Sequence, residues 1–63
     1  MILKEKEVEI LNVMCNDIRI KDIGYIVNLS TSSVEKILNK LREENDINTN
    51  HGLVAQYLMD KNE

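Results

Sequence analysis

The chain has no proline, phenylalanine or tryptophan, only two glycines, and a single cysteine, Cys15. A lone cysteine excludes the internal disulfide framework that holds many small secreted folds together. The shortage of proline and glycine removes most of the punctuation that a many-stranded β fold needs, which favours an all-helical reading. Unbroken apolar runs stop at three residues, so no segment is long enough to span a bilayer. The opening MILKEKE turns polar at once and does not read as a secretory signal. A reducing cytoplasm is the expected location, with no membrane contact. There is no glycine-rich phosphate loop and no nucleophile–base pair, so no catalytic residue and no cofactor is nominated, and an enzyme is not expected. His51 has no second histidine, cysteine or carboxylate cluster at ligand spacing, so no metal site is expected.

What remains is a chain of 63 residues, enough for one domain, with 43% hydrophobic residues that argue against disorder. A chain this short buries only about 60% of the surface of its unfolded form, and dimerisation is a reasonable way to complete its core. The net charge of −3 is unusual for a nucleic-acid ligand, because phosphate neutralisation supplies much of that affinity. The local field still depends on where the charges sit.

Four helices are expected, near 4–16, 20–28, 31–44 and 50–60, giving an all-α, four-helix helix-turn-helix domain. In the first, Val8, Leu11, Cys15 and Ile18 recur at helical spacing, with Ile10 and Met14 widening the stripe. Cys15 on that stripe is expected to be a small buried hydrophobe. Asn16-Asp17 supply a stop and a turn. In the second, Ile20, Ile23 and Val27 face inward, with Ile26 a weaker candidate. Gly24 in its middle suggests close approach by a neighbouring helix. The third follows the turn Asn28-Leu29-Ser30 and carries an inward stripe of Val34, Ile37, Leu38 and Leu41. Its start admits two caps: Ser30, or Ser32 in a Ser-x-x-Glu box with Glu35. Polar turn residues around Ile47 lead to the fourth helix, where Leu53, Val54, Tyr57 and Leu58 form a stripe. Residues 60–63 read as a polar tail.

With the third helix packed by its apolar stripe, the opposite face holds Glu35, Lys36, Asn39, Lys40 and Glu43. In a major groove, Asn39 suits an adenine edge, Lys36 suits guanine, and Glu35 can accept from cytosine N4. Thr31, Ser32 and Ser33 at the helix start suit a phosphate, as does Lys21 at the start of the second helix. Residues 30–45 hold three basic and three acidic side chains, so this segment exerts no net pull on DNA. Taken alone, a Lys/Glu/Asn face on a short helix is more often plain solvated surface.

Several collinear motifs resemble one family. Leu3-x-x-Lys6-Glu7-x-Glu9-Ile10-Leu11 is similar to the "LTxRExEVL" opening of LuxR/GerE-type DNA-binding domains. Lys21-Asp22-Ile23-Gly24 stands where that family has "KEIA", and Leu29-Ser30-x-x-Ser33-Val34 where it has "ISxxTV". Ile47 followed by Leu53-Val54-Ala55 resembles the closing "V…AV" helix. The resemblance implies a four-helix domain of bacterial transcription regulators whose third helix enters the major groove of double-stranded DNA. It also implies a homodimer through the fourth helix, with Leu53, Val54, Tyr57 and Leu58 near the contact. Lys21, Thr31, Ser32, Ser33, Glu35, Lys36, Asn39 and Lys40 become the expected DNA-facing residues. The chain departs from the family at Glu35 (usually Lys), Ile37 (usually His), Asp17 (usually Gly), Arg19 (usually a capping Ser) and Asn50 (usually Arg). Glu35, Glu43 and the negative charge also fit a competing expectation. In that reading the chain is a protein-interaction module on the same fold, which pairs with another transcription regulator and blocks its DNA binding.

Overall fold

The computed structural model describes residues 1–61 and contains four α-helices: α1 (Glu5–Met14), α2 (Ile20–Val27), α3 (Thr31–Glu44) and α4 (Asn50–Lys61). Among the described residues there is no strand. The all-α, four-helix expectation is met, with boundaries shifted by a residue or two. α1 stops at Met14, and Cys15, Asn16 and Asp17 turn the chain, Asp17 at a left-handed φ of 58°. α4 runs one residue further than expected and takes in Asp60 and Lys61. The rest of the expected polar tail, residues 62–63, lies outside the described residues.

Every helix contributes to one core: Ile10 and Leu11 from α1, Ile23 and Val27 from α2, Val34, Leu38 and Leu41 from α3, and Leu53 and Tyr57 from α4. Ile37, Ile47, Leu29 and the opening residues Met1 and Leu3 pack around its edge. Burial of these apolar side chains is the main force closing the fold. The Tyr57 hydroxyl donates to Asn12 Oδ1, which satisfies the one polar atom that Tyr57 brings inward and ties α4 to α1.

Three expectations about facing are corrected. The inward stripe of α1 is centred on Glu7, Ile10, Leu11 and Met14, so Val8 is half-buried and Cys15 is exposed. The cause is Glu7, which is buried with its carboxylate accepting from the Lys4 backbone N–H at 2.7 Å. This bond from the third helical residue back to the capping position leaves only the aliphatic stem of Glu7 to be packed. Ile26 is 56% exposed, because Ile20, Ile23 and Val27 already fill the inward side of α2.

Gly24 serves close approach, most tightly to the turn and also to the first residue of α3, Thr31. Asn28 takes a left-handed φ of 61°, and the Leu29 N–H donates back to the Gly24 carbonyl at 2.8 Å. That closure brings the Leu29 carbonyl oxygen into the space a Cβ on Gly24 would occupy. The end of α3 uses the same Schellman device: Asp46 has φ 54° and the Ile47 N–H donates to the Arg42 carbonyl at 2.8 Å. In both turns the residue after the left-handed position is apolar and packs against the core.

The start of the chain is clasped to α4. The Met1 ammonium donates to Asp60 Oδ2 at 2.8 Å, and Gln56 Nε2 donates to Asp60 Oδ1 at 3.0 Å. The ammonium bond, followed by the Gln56 bond, holds the Asp60 carboxyl below its ordinary value.

Two tests follow from this packing. Gly to Ala inside a helix ordinarily gains about 1 kcal/mol. At Gly24 the new methyl meets backbone that cannot rotate away, so Gly24→Ala should lose about 1–3 kcal/mol in urea unfolding. A gain would show that the turn relaxes. For Asp60, a carboxyl held below its unfolded value adds stability that is fully present above about pH 4 and disappears as pH falls through the folded value. The urea midpoint of Asp60→Asn should therefore lie below wild type at neutral pH, with the gap closing as pH falls below the ordinary carboxylate value. A gap independent of pH would exclude the ion pair.

Candidate nucleic-acid interface

The α2–turn–α3 unit sets the geometry. Ser30 is the cap of α3: its Oγ accepts from the Ser33 N–H at 3.1 Å and donates to Ser33 Oγ at 3.0 Å. This decides between the two candidate caps and leaves Ser32 and Thr31 exposed. Their backbone N–H groups, the first two of the helix, have no acceptor among the described residues. Such groups, at the positive end of the helix dipole, suit an anion. Arg19 stands at the cap position of α2 without a capping hydrogen bond, and its Nε lies 3.5 Å from Asp22 Oδ2.

Glu35, Lys36, Asn39, Lys40 and Glu43 are all exposed on α3, as is Lys21 on α2. None of the charged residues in this group forms an ion pair among the described residues. The three lysines therefore have no internal partner to give up on meeting a phosphate.

These residues do not form one uniform face. Glu35, Asn39 and Arg42 follow one another at i, i+4 and i+7 along a single edge of α3. They line an open cleft together with Ile20, Leu38 and Asn50. Ile20 and Asn50 are the first residues of α2 and α4, so two helix N-termini flank that edge. Within the row, Arg42 Nη2 donates to Asn39 Oδ1. Asn50 Oδ1, also in the cleft, is buried without a hydrogen-bond partner among the described residues. Lys36 and Lys40 do not line this cleft. Arg42 and Asn50 were not among the residues expected to face DNA. Arg42 stands three residues after Asn39, a spacing that brings side chains together on a helix, but its position beside the apolar stripe hid it. The sequence marks Asn50 only as a departure from the resembled family, where Arg is usual.

A second cleft, between α2 and the start of α3, is lined by Lys21, Tyr25, Leu29, Ser30 and Thr31. It places Lys21 beside the free end of α3, as a phosphate contact from α2 requires.

The four residues expected near a dimer contact divide into two pairs. Leu53 is fully buried and Tyr57 nearly so, and both are committed to the core of the protomer. Val54 is half-buried and Leu58 is 42% exposed, beside Met59 at 65%. Between Asn50 and Met59, α4 carries no Asp, Glu, Lys or Arg. His51 is exposed in its first turn, and no group of His, Cys, Asp or Glu among the described residues has the arrangement of a metal site.

No family model, curated protein or solved structure matches this chain.

The cap assignment carries its own test. Ser30→Ala should cost about 1 kcal/mol of stability. Ser32→Ala, whose hydroxyl caps nothing, should stay within about 0.5 kcal/mol of wild type. Equal losses would mean that the helix start is shared between the two serines.

Proposed function

We propose that the protein is a DNA-binding transcription regulator of LuxR/GerE type, with α3 entering the major groove of double-stranded DNA. The observation that carries this reading is the α2–turn–α3 unit itself. Its turn is fixed by the Gly24–Leu29 closure, and it presents a polar, exposed edge of α3 flanked by two helix N-termini. Lys21, Lys36 and Lys40 contact phosphates, as do the free N–H groups of Thr31 and Ser32, with Ser33 beside them. Asn39 reads a base edge. The chain acts as a homodimer through α4, whose outward residues Val54, Leu58 and Met59 are apolar, with Lys61 at the far end of that face. Leu53 and Tyr57 support that surface from beneath.

A second reading has a specific observation in its favour. α3 brings no net positive charge, while Val54, Leu58 and Met59 leave an apolar patch on α4 that suits a partner. On that reading the chain pairs with another transcription regulator and keeps it from DNA.

Titration with mixed-sequence duplex DNA at rising salt separates the two. With three lysines on phosphates, the DNA reading predicts that log Kd rises with log salt with a slope of about 3 per protomer. Sedimentation of the same samples should give the mass of a dimer. No binding at about 50 mM salt overturns the DNA reading for this chain and leaves the interaction module.

A further inference from the structure

Glu35 is the least expected residue on a surface offered to DNA, because a carboxylate near phosphates is repelled. Three observations give it a different role. It has no ion-pair partner among the described residues, so its charge is not spent within the protein. It lies one helical turn from Asn39, on the same edge of α3 and in the same cleft. Asn39, in turn, is held: Arg42 donates to its Oδ1, which fixes which end of the amide is the oxygen and leaves the NH2 free.

We infer that Glu35 and Asn39 are paired base readers, taking a cytosine and an adenine in the major groove, and that Arg42 is the positioning residue for Asn39. The inference rests on the DNA-binding reading above. Glu35 accepts from cytosine N4; guanine and thymine present acceptors in its place, and at adenine the N6 donor lies beside the N7 acceptor, which repels a carboxylate. Asn39 donates from Nδ2 to adenine N7 and accepts from adenine N6 with the Oδ1 lone pair that Arg42 does not use. Four residues of helix rise about 6 Å, against about 3.4 Å per base pair, so the two bases lie one to two base pairs apart. Affinity comes from Lys21, Lys36, Lys40 and the helix N-termini. Glu35 costs affinity on every sequence and recovers it only over cytosine, so it raises specificity by rejecting the alternatives.

The test is selection from a randomised duplex pool, followed by Kd measurements on the selected site and its single-base variants. Wild type should prefer cytosine at one position and adenine one or two pairs away, each by about tenfold. Glu35→Ala should lose the cytosine preference while binding unrelated duplexes more tightly. These opposite movements are not produced by a merely repulsive carboxylate or by a misfolded variant. Asn39→Ala should lose the adenine preference alone. Arg42→Gln should weaken the adenine preference and leave the cytosine preference in place, with thermal unfolding unchanged. If wild type binds DNA and Glu35→Ala leaves every base preference as it was, this inference is overturned and the DNA-binding reading stands. If wild type binds no duplex at low salt, both fall.

Discussion

Leu29 closes on Gly24 in two ways: its N–H donates to the Gly24 carbonyl, and its own carbonyl oxygen occupies the place of the missing Cβ. The rest of the architecture depends on this contact. It makes the turn after α2 short and sets the direction in which α3 leaves it. Ser30 then stands where its hydroxyl caps α3, and Leu29 turns inward to the core edge. Once α3 is aimed, Val34, Leu38 and Leu41 meet Ile23 and Val27, and α1 and α4 close over them. A core with no phenylalanine or tryptophan depends on aliphatic side chains meeting closely, which makes this small steric allowance more consequential than it would be in a larger fold.

Charge on this molecule is placed with little internal pairing. The described ion pairs lie at the start of α1, at the start of α2 and between the two ends of the chain. The edge of α3 has none. The attraction proposed for DNA then draws on backbone as well as on the three lysines. The ends of three helices supply N–H groups and dipoles that no formal charge total records. The net charge of −3 is thus a weak guide to what the α2–α3 side can meet.

Much of the fold was legible in the sequence. Regular apolar spacing gave α3 its limits, and Asn28 and Asn45-Asp46 marked helix ends that the structure closes with left-handed residues. The failures have physical causes. The phase of α1 was misread because Glu7 counts as polar, whereas its stem is buried and its head is bonded to the backbone. Cys15 was misplaced with it. Of the candidate interface, the exposed residues of α3 were legible from helical periodicity. The division of that face was not. The grouping of Glu35, Asn39 and Arg42 depends on where α2 and α4 begin in space, and Asn50 reaches it across five intervening turn residues from α3.

The two Schellman closures have one further consequence. Asn28-Leu29 fixes α3 where it begins and Asp46-Ile47 fixes it where it ends, each by a left-handed residue and an apolar plug. A helix pinned at both termini does not need its outward side chains to hold its course. Mutations along that outer edge should therefore change the surface of α3 while leaving folding nearly untouched. The scaffold and the chemistry of its outer edge are thus separable in this sequence.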